Sequence, residues 1–392
     1  MNEQTTTASI LVVDDNPDIC RLLRTRLERM GHTVVTATNG YEALAELRAR
    51  PFDLVLLDIM MPEMNGYEVL AQIKADADLR HLPVIVVSAL DDMESVVKCI
   101  ELGAEDHLFK PIRGVLLKAR ITASLEKKRL RDREQAYLRA MKLEMELGQR
   151  VQADFLPGEL CRLPGWELSV SFLPAREVAG DFYDTFPLPG NRVGIIIADV
   201  CNKGVSAALF MALARTLLRA YAEEADASTS PAGILAAVHR THNYIIRYHH
   251  QHKPYMFLTL FFGVLEPETG RLTYINAGHF PPLLFDASGV RAELEPTGPA
   301  VGLMPEAAFG VAEAHLAPGD TLLAYTDGVI EARHPRRGFF GEEGLRAALQ
   351  SPPPHTDALL KRLEEAVCAH TARPPHELAD DDITMLALHR LE

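Results

Sequence analysis

The chain has 392 residues, more than one ordinary core accommodates, and its 47% hydrophobic and 24% charged composition is that of a folded rather than a disordered protein. A net charge of -14 repels nucleic-acid phosphates and disfavours a DNA-binding output. Five scattered cysteines (Cys20, Cys99, Cys161, Cys201, Cys368) form no Cys-x-x-Cys pair, against both a disulfide framework and a structural zinc site.

Residues 1–8 are polar and read as a disordered N-terminus without a signal core. Short apolar runs then alternate with amphipathic stretches. The strand candidates are Ile10–Val13, Thr33–Thr36, Leu54–Leu57, Val84–Val87 and His107–Phe109. Helical patterns lie between them at Ile19–Arg29, Tyr41–Arg48, Tyr67–Lys74 and Ser95–Leu102, with Asn39 at an N-cap position and Gly31 and Gly103 as stops. This order predicts an α/β doubly wound fold, a parallel five-stranded sheet with its functional residues at the carboxyl ends of the strands.

Polar residues mark those ends: Asp14 and Asp15 after the first strand, Asp58 after the third, Ser88 after the fourth and Lys110–Pro111 after the fifth. Converging carboxylates repel unless a hard divalent cation such as Mg2+ neutralises them, and a carboxylate can accept a phosphoryl group as a nucleophile. Lys110 would then pair with the phosphoryl oxygens and Ser88 would donate to them. With Val12–Asp15, Leu57–Gly66, Val87–Ala89 and Phe109–Pro111, residues 9–125 resemble a CheY-type receiver domain of two-component signalling. The resemblance implies Asp58 as phosphoacceptor, Asp14, Asp15 and Asp58 around Mg2+, Ser88 and Lys110 as switch residues, a cis peptide before Pro111 and a sensor histidine kinase upstream. It departs at His107, where an aromatic switch residue is usual.

From Ile112 to Phe155 the sequence is Pro-free and helical, and residues 126–157 form a helical linker. Leu138, Met141, Met145 and Gly148, then Phe155 after a polar Gln152, follow a 3–4 spacing. That suits a short coiled-coil seam and a homodimer, or a solvated helix packed on its own domain. Leu156–Pro157–Gly158 ends it.

Residues 158–392 mix strand-type runs (Leu168–Leu173, Val193–Ala198, Phe257–Val264, Leu272–Asn276, Thr321–Tyr325, Ile383–Leu388) with helical blocks Ala207–Ala222, Ala232–Tyr248 and Thr356–His370. The pattern predicts an α+β layered β-sandwich. Acidic motifs abut these strands: Gly180–Asp184, Ala198–Asp199–Val200, Thr326–Asp327–Gly328 and Asp380–Thr384. Oxygen ligands without His or Cys select Mg2+ or Mn2+, and two such ions can activate a water against a phosphate ester.

With Gln152–Pro157, Asp199–Gly204 and Asn276–His279, these motifs resemble the SpoIIE/RsbU branch of the metal-dependent Ser/Thr protein phosphatases, from about Gln149 to Arg390. The resemblance implies Asp181, Asp199, Asp327 and Asp381 as catalytic metal ligands for two Mn2+ or Mg2+, the Val200 carbonyl as a further ligand, and Arg176 on the substrate phosphate. It also implies a phosphorylated anti-sigma-factor antagonist as substrate. Ala179 and Cys201–Asn202 depart from the usual pattern without removing a ligand. His249, His250 and His252 read as a loop rather than a metal site, and His279 as structural.

The expected function is a response regulator whose phosphorylation at Asp58 controls a metal-dependent phosphatase acting on phosphoserine or phosphothreonine of a partner protein. The rival is an adaptor that binds its partner without hydrolysis. No run approaches the ~20 apolar residues of a membrane span, so neither membrane nor nucleic acid is expected as a partner, and the cytoplasm is the expected location.

Overall fold

The computed structural model describes residues 7–89, 93–226, 228–249, 256–350, 353, 355–373 and 381–392. The chain divides into two units, Met1–Met141 and Lys142–Glu392. In the first, β1 (Ser9–Val13), β2 (Thr33–Ala37), β3 (Leu54–Asp58), β4 (Val84–Ala89) and β5 (Asp106–Lys110) pair in parallel in the order β2-β1-β3-β4-β5. Helices α1 (Pro17–Arg29), α2 (Gly40–Ala49), α3 (Gly66–Ala75), α4 (Met93–Glu101) and the first turns of α5 (Gly114–Ala153) accompany the sheet.

The strands are apolar throughout because both faces are covered. Leu11, Val13, Val55 and Leu57 pack with Leu44 and Val69, whereas Ile10, Val12, Leu54 and Leu56 pack with Leu23, Leu27, Leu117 and Ile121. Asn39 caps α2 through the Glu42 amide as expected, and Asn65 and Glu68 form a capping box on α3. The strand order reverses between β1 and β3, which leaves a crevice at their carboxyl ends.

In the second unit the strands are β6 (Trp166–Leu173), β7 (Phe182–Leu188), β8 (Arg192–Val200), β9 (Leu258–Glu266), β10 (Arg271–Ala277), β11 (Leu283–Asp286), β12 (Gly289–Glu293), β13 (Ala312–His315), β14 (Thr321–Tyr325), β15 (Arg333–His334), β16 (Gly338–Phe339) and β17 (Ile383–Arg390). The helices are α6 (Val205–Glu223), α7 (Pro231–His249), α8 (Asp327–Ile330), α9 (Gly341–Ala348) and α10 (Thr356–Thr371). Two antiparallel sheets, β13-β10-β9-β8-β7 and β12-β11-β14-β17-β6, stack face to face, and β15 and β16 form a separate hairpin.

Alternation along β8 shows how the layers are specified. Val193, Ile195 and Ile197 meet Leu322, Ala324, Leu386 and Leu388 between the sheets, while Ile196, Ala198 and Val200 meet Phe210, Met211 and Val238 of α6 and α7. On the opposite flank Leu323, Met385 and Ala387 pack under Leu359, Leu363 and Val367 of α10. The unit is thus a helix–sheet–sheet–helix sandwich, with α6 and α7 on one side and α10 on the other.

Three features depart from the sequence reading. Phe182–Leu188, of which the acidic motif Gly180–Asp184 covers only the first three residues, is a full strand paired to β8. α6 reaches the length and mean hydropathy (1.3) of a membrane span, because alanines lengthen its apolar run. Its apolar face is core, however, and Arg215 and Arg219 pair with the buried Asp184 of β7. Finally, the linker divides along its length. Leu138 and Met141 are exposed, as a seam awaiting a partner would be, but Gly148 and Gln152 pack against Val178 and Ala179 of their own unit.

Candidate functional site

At the carboxyl edge of the first sheet, the Lys110 ammonium lies 2.9 Å from both Asp14 Oδ2 and Asp58 Oδ2. Asp14 and Asp58 are buried and Asp15 is exposed. Burial, reinforced by the Asp14 charge, raises the Asp58 pKa against the opposing pull of Lys110. The oxygens of Asp14, Asp15 and Asp58 lie mutually within 4.8 Å, so three carboxylates face one ammonium in a space that a single hard cation fits.

Gly66 is needed here because a Cβ would sit 2.3 Å from the Asp58 carbonyl oxygen. The Ser88 hydroxyl is buried and meets no hydrogen-bond partner among the described residues, a group that costs stability until an acceptor arrives. The Lys110–Pro111 peptide is cis. His107 is half-buried and edge-on to Phe109 at 5.0 Å.

In the second unit the acidic motifs meet at one end of the sandwich. Asp181 precedes β7 and Asp199 lies near the end of β8, and Phe182 pairs with Ala198, so both carboxylates leave the same edge. From the other sheet, Asp327 follows β14 and Asp381 and Asp382 precede β17, whose pairing of Tyr325 with Met385 brings them together. Asp181 is fully buried. The Thr326 and Thr384 hydroxyls donate to its Oδ2 at 2.7 and 2.6 Å, which fixes it across the two sheets.

Burial and the Asp199 charge push Asp181 well above the ordinary carboxylate range. Asp199 is raised to about 7 by burial and by Asp327 and Asp381, although it shares a hydrogen bond with Asp181. Asp327 is raised to about 6 by burial and by Asp381. Among these four, an ion pair is formed by Asp381, whose Oδ2 lies 2.8 Å from Lys203 Nζ. Such an excess of oxygen-only anionic donors, Asp181 buried and the other three half-buried, suits hard divalent cations. Among the described residues no three of them bring oxygens mutually within 4.8 Å, so this cluster is wider than the first.

Several residues here carry roles that the sequence reading did not assign. Asp382, buried, accepts from the Ala175 amide at 2.8 Å and from the Gly180 amide at 2.7 Å, clamping both ends of the loop before Asp181. A Cβ on Gly328 would lie 2.0 Å from the Asp382 carbonyl, which accounts for the glycine after Asp327. Thr326, Thr384 and Lys203 lie within the motifs Thr326–Gly328, Asp380–Thr384 and Asp199–Gly204, but only the fold shows what they touch. Arg176 is exposed on the clamped loop, and the Val200 carbonyl faces Gly180. His249 lies edge-on to Phe210 at 5.9 Å, while His250 and His252 fall outside the described residues.

His279 is buried in the sandwich, with Nδ1 2.9 Å from the Thr259 hydroxyl, and desolvation lowers its pKa to about 4. The unfolded chain, with an ordinary imidazole near 6.5, therefore binds the proton more readily. The stability this group contributes is complete above that value and is lost as pH falls toward 4, by about 3 kcal/mol in all. His279→Gln is expected to melt with a shallower dependence on pH between 7.5 and 4.5 than wild type. Parallel curves would show that another group governs acid stability.

A family model described as Stage II sporulation protein E (SpoIIE) matches residues 189–391, just over half the chain, and one described as Response regulator receiver domain matches residues 10–122. The first begins beyond Arg176 and Asp181. Protein IcfG of Synechocystis sp. (strain ATCC 27184 / PCC 6803 / Kazusa) is 38% identical over 269 residues, 64% of this chain and 42% of that protein. The chain spans less than half the length of the curated relatives it matches. Among solved structures, the SiaA-PP2C domain of Pseudomonas aeruginosa shares the fold, with a TM-score of 0.54 and 21% identity over 65% of this chain and 98% of that one. The RsbU and RsbW domains of Rv1364c from Mycobacterium tuberculosis align with a TM-score of 0.48 and 29% identity, covering 60% of this chain and 63% of that one.

Proposed function

Because the chain belongs to the SpoIIE family and places a response regulator receiver domain before that region, we propose that it is a phosphorylation-controlled phosphatase acting on phosphoserine or phosphothreonine of a partner protein. The observation that carries this reading is the convergence of Asp181, Asp199, Asp327 and Asp381 at one end of the sandwich with more negative charge than Lys203 offsets. Two Mn2+ or Mg2+ ions held there, with the Val200 carbonyl as a further ligand, would supply charge neutralisation and an activated water.

The chain's own residues set the geometry. Thr326 and Thr384 hold Asp181 rigid, Lys203 restrains Asp381, and Asp382 fixes the loop that carries Arg176 toward a substrate phosphate. In the receiver, Asp58 is the acceptor, Asp14, Asp15 and Asp58 would hold Mg2+, Lys110 neutralises the incoming group, and the Ser88 hydroxyl gains an acceptor when phosphate arrives. The donor is a sensor histidine kinase, and the substrate class that fits the RsbU-like resemblance is a phosphorylated anti-sigma-factor antagonist. The deciding experiment measures phosphate release from candidate phosphoproteins and from para-nitrophenyl phosphate, with Mn2+ and with or without acetyl phosphate. Binding without release would favour the adaptor reading instead.

The exposed Leu138 and Met141, with the half-buried Met145 a turn further on, support a homodimer through the linker. Leu138→Glu, Met145→Glu is expected to give a monomer by light scattering and to abolish the change in turnover with acetyl phosphate. A mutant that stays dimeric and responds normally would remove the seam from the mechanism.

A further inference from the structure

Gln152 lies in the last turn of α5, where an exposed helix end would favour water for a side-chain amide. It is buried instead. Its Oε1 accepts from the Ala179 amide at 2.9 Å, and its Nε2 donates to the Ala179 carbonyl at 2.6 Å. One side chain therefore satisfies both polar groups of a single loop peptide position, two residues before Asp181. One turn earlier, a Cβ on Gly148 would stand 3.7 Å from Val178 Cγ1, so the helix lies close along the same segment. Beyond Ala179, Asp382 holds the Gly180 amide, and the Thr326 and Thr384 hydroxyls hold Asp181.

The segment 179–181 is thus gripped from two directions, by α5 through Gln152 and by the second sheet through Asp382 and the threonines. The two grips differ in kind. Those from the second sheet come from elements locked into the sandwich core, whereas Gln152 sits on a helix that begins at Gly114, before the family region. An axial slip of one residue, or a rotation of about 100°, would carry the amide away from Ala179 and leave two buried backbone groups unpaired.

We propose that Gln152 is a positioning residue that sets Asp181 according to the placement of α5, so that a movement of the helix is registered at the aspartate cluster. The inference rests on the phosphatase reading above. It predicts a two-state coupling in which one state keeps the bidentate pair and the other breaks it.

The test uses the full chain with Mn2+ and para-nitrophenyl phosphate. Gln152→Met keeps the size and helix propensity of the side chain and removes both hydrogen bonds. It is expected to lower kcat by about 10- to 100-fold with little change in KM, as a misplacement of order 1 Å does. It should also equalise turnover with and without acetyl phosphate, and quicken amide exchange in the peptide covering 175–181. In Gln152→Glu a protonated carboxyl can still donate to the Ala179 carbonyl and accept from its amide, whereas the carboxylate can only accept. Its exchange in that peptide should therefore approach wild type as pH falls through the glutamate titration and diverge above it.

Exchange reads the Gln152 pair whether or not the enzyme turns over. A wild type that releases no phosphate from any substrate overturns the phosphatase reading, while unchanged exchange in Gln152→Met overturns the positioning role. Wild-type kcat, or an intact acetyl phosphate response, in Gln152→Met overturns it equally.

Discussion

Asp327→Ala and Asp199→Ala are each expected to lower phosphatase turnover by orders of magnitude while leaving the fold intact. The two opposite demands on these side chains are separable because of where they sit. Asp199 and Asp327 are partly exposed at the strand ends, and neither is among the buried side chains that close the sandwich. Asp181 is a poorer choice for the experiment, since its loss would strand the buried Thr384 hydroxyl without its acceptor and leave the Thr326 hydroxyl only the long contact of 3.5 Å to the Thr384 carbonyl. Removing one of several mutually repelling carboxylates should even raise the melting temperature of the chelator-treated protein. The expected signature is therefore a large loss of rate beside an unchanged or higher melting temperature. Near wild-type rates in the Asp199→Ala, Asp327→Ala double variant, or full activity in excess chelator, would sink the assignment.

Asp58→Asn is expected to take up no phosphate from acetyl phosphate and Mg2+, whereas intact wild type gains the mass of one phosphoryl group. Asp58 is the buried carboxylate nearest the Lys110 ammonium other than Asp14, and Asp14 is already tied through Oδ1 to the Asn16 amide and through Oδ2 to Lys110. With both Asp14 oxygens engaged, this arrangement supports the proposal of Asp58 as nucleophile and Asp14 as its support. A mass gain in Asp58→Asn would move the acceptor to a neighbouring aspartate, and no gain in wild type would remove it altogether. Ser88→Ala should still accept phosphate yet lose the change in phosphatase rate, since the buried hydroxyl has nothing else to bind among the described residues.

The receiver was legible almost residue by residue because a parallel sheet buried on both faces needs continuous apolar strands, and any polar residue at their ends stands out. Asp14, Asp58, Ser88 and Lys110 were visible for that reason, and the structure places them at adjoining strand ends. In the second unit, β8, β14 and β17 were equally visible, as were the aspartates that abut them. Strand β7 was hidden because Asp184 interrupts its apolar face, and Arg215 and Arg219 on the next helix help to make a buried carboxylate there tolerable. The short strands β11, β12 and β13 owe their conformation to pairing rather than to pattern.

The amino-acid sequence by itself determined the two kinds of fold, the order of their elements and the carboxylates available to each centre, since period and residue type are local properties. Which of those groups meet was decided only by tertiary structure. Asp382 clamps a loop some two hundred residues earlier, Thr326 and Thr384 reach across from one sheet to Asp181 at the edge of the other, and Gln152 pairs with Ala179. These contacts join residues far apart in the chain. Their energies come from desolvated groups finding partners, and no periodicity along a single strand or helix records which partner that will be.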